Sequence, residues 1–338
     1  MRFAIPVMIL VTAGAGGCWR ASENEVVVYS ALDAEFAAPI LEQYEREQAV
    51  TVRANYDVES TKTVGLTTRI QQERQRPRCD LFWNNEILHT LRLEKEGLLE
   101  AYASPSAASF PANYRSPQGT WHGFAARARV LIVNTERVPE DKRPDSIEDL
   151  LDPQWKGQVG IAKPLFGTTA THACVLFAFW GPEKAEAFFR SLKENAQVLS
   201  GNKQVALNVG RGDLAFGLTD TDDAVIELEA GRPVTIIYPD QQDGGMGTLF
   251  IPNTLAIVRG APHADQARKL VDYLLGGDVE SKLAEGPSAQ FPVNPAVKTR
   301  SRVAPETEVR WMPADFTAAA EQWDSAGTFL RDLFATAD

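Results

Sequence analysis

Apolar positions along this chain fall into two alternating rhythms. Val26-Val27-Val28-Tyr29 is an unbroken apolar run that predicts a buried strand. Over residues 34–48, Phe36, Ile40, Leu41 and Tyr44 stand at helical spacing. Residues 50–56 return to a strand pattern and 61–74 to a helical one. Leu81-Phe82-Trp83, preceded by Cys79 and Asp80, predicts a third strand, followed by a helix over 87–96 that Gly97 closes. Strand and helix in strict alternation predict a parallel α/β sheet. Ligands of such sheets gather at the carboxyl ends of the strands. Those ends carry Ser30 and Asp33 after the first strand, and Asn84, Asn85 and Glu86 after the third.

The second half continues the pattern. Residues 121–134 contain a predicted strand over Arg127–Asn134 that carries Arg127 and Arg129 at its start, on one face by alternation. In a polar cleft such a pair suggests an anion; on an exposed edge it is solubility charge, the commoner case. Ser146-Ile147-Glu148-Asp149 is a capping box before a short helix, and 158–162 a strand. Gly167, Thr168, Thr169, Ala170 and Thr171 open a helix running to Trp180. Their N–H groups and hydroxyls form an anion site or simply cap the helix. Phe177, Phe179, Phe188 and Phe189 at helical spacing read as core. Residues 201–210, with Asn202 near their start, read as a turn and short helix closed by Gly210-Arg211-Gly212.

The corner Gly217 to Asp223 places three carboxylates, Asp220, Asp222 and Asp223, and two threonines between a strand and a helix expected from Ala224. Acidic residues there are good capping groups and equally good ligand groups. Beyond it come a strand over 234–238, one over 248–258 interrupted at Pro252-Asn253, helices over 261–275 and 279–284, and a helical tail over 313–336.

Charge and composition narrow the function. A formal net charge of −11 over 338 residues argues against a nucleic-acid or anionic-membrane surface. Met1-Arg2, an apolar run from Phe3 to Ala13 and small residues up to Cys18 have the order of a secretion signal. We expect a leader over 1–18, lipidated at Cys18, and a tether over 19–25, which places the protein in the periplasm or on the outer face of the cytoplasmic membrane. Cys79 and Cys174 could pair in an oxidising compartment; Cys79 before a buried strand and Cys174 inside a helix favour two buried thiols. The four histidines are scattered and no zinc-binding spacing exists. No Gly-x-Ser-x-Gly elbow, phosphate loop or paired metal motif is present, which argues against an enzyme.

From Val26 to Val297 the order of segments resembles the extracellular solute-binding receptors of bacterial ABC importers, in their ferric-iron-binding branch. The resemblance rests on Val28-Tyr29-Ser30, Asp80-Leu81-Phe82-Trp83, Arg127-Ala128-Arg129-Val130, Pro153-x-Trp155-Lys156-Gly157, Gly167 to Thr171, Asn202-x-x-Val205-Ala206-Leu207 and Asn294-Pro295. It implies a two-lobed α/β fold of the type II periplasmic-binding class, closing by hinge bending. The implied lobes are 26–126 plus 255–300 and 127–254 plus 301–338, with crossings near 127–134 and 248–254. It also implies a monomer partnered by a permease and its ATPase, with no resident cofactor.

Iron-binding members of that branch hold the metal with two adjacent tyrosines, a histidine and a glutamate, and a bound anion completes the shell. The resemblance sets the tyrosine pair against Asp222 and Asp223, the histidine against Asp33 and the glutamate against Asn85. Each protein ligand for iron is therefore replaced. The anion-holding elements, Arg127, residues 168–171 and Asn202, are kept. Two ligands fit. One is an aminoalkylphosphonate-like zwitterion or phosphate-type anion, its oxyanion on Arg127 and residues 168–171 and its ammonium on the carboxylates. The other is ferric iron or another hard cation held by Asp33, Asp222 and Asp223, with Glu86 nearby, plus an anion. The first is slightly favoured. A receptor for a membrane sensor remains the alternative to a transport role.

Overall fold

A computed structural model describes residues 24–57 and 63–335. The expected leader with Cys18, all but the end of the tether, the start of the helix expected from Thr61 and the last residues of the tail lie outside the described residues.

The chain runs β1 (Glu25–Ser30), α1 (Ala34–Gln48), β2 (Thr51–Tyr56), α2 (Val64–Gln72), β3 (Leu81–Asn84), α3 (Leu88–Lys95), β4 (Leu99–Glu100) and β5 (His122–Asn134). It continues through β6 (Val159–Ala162), α4 (Gly167–Trp180), α5 (Pro182–Asn195), β7 (Gln197–Leu199), α6 (Asn202–Gly210), β8 (Phe216–Asp220), α7 (Thr221–Glu229) and β9 (Val234–Ile237). Last come β10 (Phe250–Val258), α8 (Ala264–Leu274), α9 (Gly277–Glu285), α10 (Phe316–Glu321) and α11 (Trp323–Phe334). The tail expected as one helix is broken at Gln322. Among the described residues no helix is long and apolar enough to cross a membrane.

The strands are ordered β2-β1-β3-β10-β5-β8-β6-β7, with β4 beside β10 and β9 beside β5. Two lobes arise because β5 changes partners along its length. Its first half pairs antiparallel with β10, which joins β3, β1 and β2. From Arg129 onward it pairs with β8, and from Leu131 also with β9. All thirteen residues of β5 are buried. A strand buried on both faces must be apolar unless its polar groups are paired, which makes its two arginines conspicuous.

The switch between partners is built from irregular backbone. Proline cannot donate to a ladder, and the register of β10 against β5 slips between Pro252 and Asn253. Opposite, Ala125 takes φ 34°, and the Asn253 amide donates to its carbonyl. Glu280, fully buried on α9, accepts from the N–H groups of Ala125 at 2.7 Å, Val293 at 2.9 Å and Asn294 at 3.0 Å. Burial pushes the Glu280 carboxyl above its ordinary value while those three bonds oppose the rise.

Close packing brings the next layer onto β8. A Cβ on Gly217 would stand 2.5 Å from Val205 Cγ1 and 2.8 Å from the Gly160 carbonyl, so only glycine lets α6 and β6 approach so closely. On the far side α10 and α11 cover α4 and α5 and also meet α3, where His89 packs edge-on to Trp323 with centroids 4.3 Å apart. Cys79 and Cys174 are free and buried.

Candidate functional site

A small cleft lies beside the point where β5 passes from one lobe to the other. Three helix starts converge on it: α4, α6 and α7. Their N-cap residues are Phe166, Gly201 and Asp220, and none caps its helix with a side chain. The first turns of α4 and α6 therefore stand at the cleft wall without an N-cap side-chain oxygen. The wall holds Thr168 and Thr169 from α4, Gly201 and Asn202 from α6, Asp220 and Asp223 at α7, Arg127 from β5, and Asn85 from the opposite lobe. The enclosed volume is about 20 Å³, one or two water positions at a minimum of roughly 10–15 Å³ each.

Behind the wall a closed network fixes these groups. Arg129, fully buried, donates from Nη1 to Asp220 Oδ1 at 2.7 Å and Asn202 Oδ1 at 3.1 Å, and from Nη2 to Thr169 Oγ1 at 3.3 Å. Thr168 Oγ1 donates to Asp220 Oδ2 at 2.5 Å and Asn202 Nδ2 to the same oxygen at 3.0 Å. Burial alone would raise the Asp220 carboxyl, but Arg129, then Arg127 and the Thr168 hydroxyl outweigh it and hold it below its ordinary value. Asp220 is therefore an anion whose charge belongs to an arginine. It is no capping group, which excludes one of the two readings open from its position alone.

Arg127 is arranged differently. Its Nη1 lies 2.9 Å from Asp222 and 3.9 Å from Asp220. Burial lowers its pKa, yet Asp222, Asp220, Asp33 and Asp223 together overcome that and raise it, so it is charged at any accessible pH. The Arg127 side chain is 2% exposed, and its Nε and Nη2 have no hydrogen-bond partner among the described residues. A buried guanidinium edge with two unmet donors on a cleft wall is a binding surface for oxygen.

A family model for bacterial extracellular solute-binding proteins matches residues 88–319. The chain belongs to that family. Its members are binding proteins, not enzymes. Iron uptake protein A2 of Synechocystis is 29% identical over 249 residues, covering 69% of this chain and 70% of the relative. Among solved structures, iron-bound HitA from Pseudomonas aeruginosa superposes with a TM-score of 0.82 at 22% identity, covering 92% of this chain and 99% of that one. AfuA from Actinobacillus pleuropneumoniae, with fructose-6-phosphate bound, gives 0.81 at 23% identity, covering 94% and 100%. At those identities the two structures establish the two-lobed periplasmic-binding fold alone.

In this solute-binding protein the expected site residues divide into two groups. Asn85, Arg127, Thr168, Thr169, Asn202, Asp220 and Asp223 come together on the wall. Asp222 stands just behind it on Arg127. Asp33, half-buried at the start of α1, is close enough to raise the pKa of Arg127 and of Lys203, which bridges the lobes to Glu35 at 3.1 Å. The remaining residues are engaged elsewhere. Ser30 donates to the Leu32 carbonyl. Ala170 is buried within α4. Glu86 caps α3 through the N–H groups of Leu88 and His89 and accepts from Thr171 at 2.9 Å, tying α4 to the opposite lobe. Oxygens of Asp220, Asp222 and Asp223 lie within 4.8 Å of one another, but the first two neutralise arginines, so the expected division of labour between carboxylates and Arg127 is not what the geometry builds. Arg129 was visible in the sequence as half of an arginine pair and proves to be the hub. Lys163 and Ser200 also line the cleft and carried no signal beyond lying in loops.

Proposed function

We propose that this protein captures a small ligand presenting a phosphate- or phosphonate-type oxyanion and hands it to an ABC permease and its ATPase. The observation that carries the reading is the buried Arg127 edge, with Nε and Nη2 lacking partners among the described residues, on the same cleft as the uncapped starts of α4 and α6. The oxyanion would sit on the Arg127 wall, with the remainder of the ligand toward the mouth. There Asp223 and Asp33 favour a cationic or neutral remainder, as in an aminoalkylphosphonate. The protein acts as a periplasmic monomer tethered through Cys18.

A second reading draws on the carboxylates clustered at α7 and on the iron for which Iron uptake protein A2 and iron-bound HitA are named. It is a hard cation such as ferric iron with a companion anion on Arg127. It ranks lower because the cation would have to draw Asp222 away from Arg127 and Asp220 away from Arg129.

Thermal-shift titration separates the two, since a ligand of the folded state raises stability with the logarithm of its concentration. Inorganic phosphate and 2-aminoethylphosphonate should stabilise the protein. Stabilisation by ferric citrate or calcium alone, undiminished in Arg127→Gln, would overturn the proposal.

A further inference from the structure

Across the cleft from Arg127, the opposite lobe contributes Asn85, which is 1% exposed. Its Oδ1 accepts a 2.9 Å hydrogen bond from Thr63 Oγ1. Its Nδ2 has no partner among the described residues. An amide whose oxygen is occupied keeps its two N–H donors for another partner, and Asn85 lines the cleft. Thr63 itself is fully buried and sits at φ 72°, ψ −47°, a conformation that β-branched residues avoid and that persists where neighbours enforce it. Its carbonyl accepts from both Thr67 N at 3.0 Å and Thr67 Oγ1 at 2.7 Å, which ties the strained turn to the first turn of α2.

We propose that Thr63 is a positioning residue that fixes the Asn85 amide with its N–H groups toward the ligand, so that the second lobe also reads the ligand as a hydrogen-bond acceptor. On this basis an oxyanion is clamped from both sides on closure, by Arg127 from one wall and Asn85 from the other. The Thr63–Asn85 pair then sets the sign of the charge accepted. A carboxylate at position 85 would present oxygen instead, and would repel the same ligand. This inference rests on the oxyanion reading and deepens it.

The test is a double-mutant cycle on the affinity for inorganic phosphate, with Thr63→Ser as the conservative control. Thr63→Val and Asn85→Ala should each weaken phosphate binding about 10-fold, the range for one lost hydrogen bond to a charged group. The double variant should bind no worse than Asn85→Ala alone, because Thr63 acts only through Asn85. Thr63→Ser should stay within about threefold of wild type, and Asn85→Asp should abolish phosphate binding while still folding. Additive losses in the cycle, retention of phosphate by Asn85→Asp, or an unchanged affinity in Thr63→Val where Arg127→Gln destroys it, would overturn this inference alone. Should Thr63→Val fail to fold, Thr63→Ala, which also removes the hydroxyl, takes its place in the cycle with the same expected outcomes. Phosphate binding that keeps wild-type affinity in Arg127→Gln, or is absent from the wild type, would instead overturn the oxyanion reading.

Discussion

Asp220 occupies the N-cap position of α7, yet its carboxylate bonds Arg129 at 2.7 Å and leaves the helix uncapped. Substituting it should therefore act as breaking a buried ion pair rather than as loss of a cap. A lost cap costs about 1 kcal/mol, whereas an arginine left buried without its partner costs about 3–5 kcal/mol. Asp220→Asn should fall in the larger range by urea denaturation. A loss near 1 kcal/mol would return Asp220 to the capping role.

Arg127 faces the cleft, so its replacement should be read in binding more than in folding. Arg127→Gln should weaken binding of inorganic phosphate by roughly 2–5 kcal/mol. The unliganded protein should lose stability as well, since Asp222 then loses the cation 2.9 Å away. Isothermal titration calorimetry with phosphate measures the first effect; wild-type affinity in the variant would remove the oxyanion assignment.

No tyrosine lies on the described cleft wall. A preparation loaded with ferric iron should therefore show no phenolate-to-iron charge-transfer band in the visible spectrum. A red or salmon protein would require a tyrosine to reach the site.

His89 and His172 are buried, and burial pushes both pKa values down to about 3, with Arg92 and Arg129 respectively adding to the fall. An unfolded histidine protonates near pH 6.5, so between about pH 6.5 and 3 the unfolded chain binds more protons than the folded one. The stability that neutral burial confers is then fully present above pH 6.5 and lost as pH falls through that window, at up to about 1.4 kcal/mol per pH unit for each histidine. Glu86 and Glu280, raised by burial, act in the opposite sense above their ordinary pKa. The paired variant His89→Gln, His172→Gln should flatten the acid limb of a stability–pH curve measured by urea denaturation. An unchanged slope would show that other groups carry the acid sensitivity.

The alternation of strands and helices was legible in residues such as Val26–Tyr29 and Leu81–Trp83 because burial of one face imposes a local period that neighbours in sequence reveal. Pro252-Asn253 announced a break in β10 for an equally local reason, the missing proline donor. The pairing of Arg127 with Arg129 on one face followed from the period of two. What each arginine meets did not follow. Asp222 lies 95 positions from Arg127 by their numbers, Thr168 and Asn202 sit on other helices, and Thr63 and Asn85 on the other lobe. Sequence alone determined that acidic and hydroxyl groups stand at strand ends and that two arginines share one face of a strand. Only the tertiary structure decided which carboxylates neutralise arginines and which donors are left for a ligand, because charge pairing in a buried site depends on distances that the order of residues does not contain.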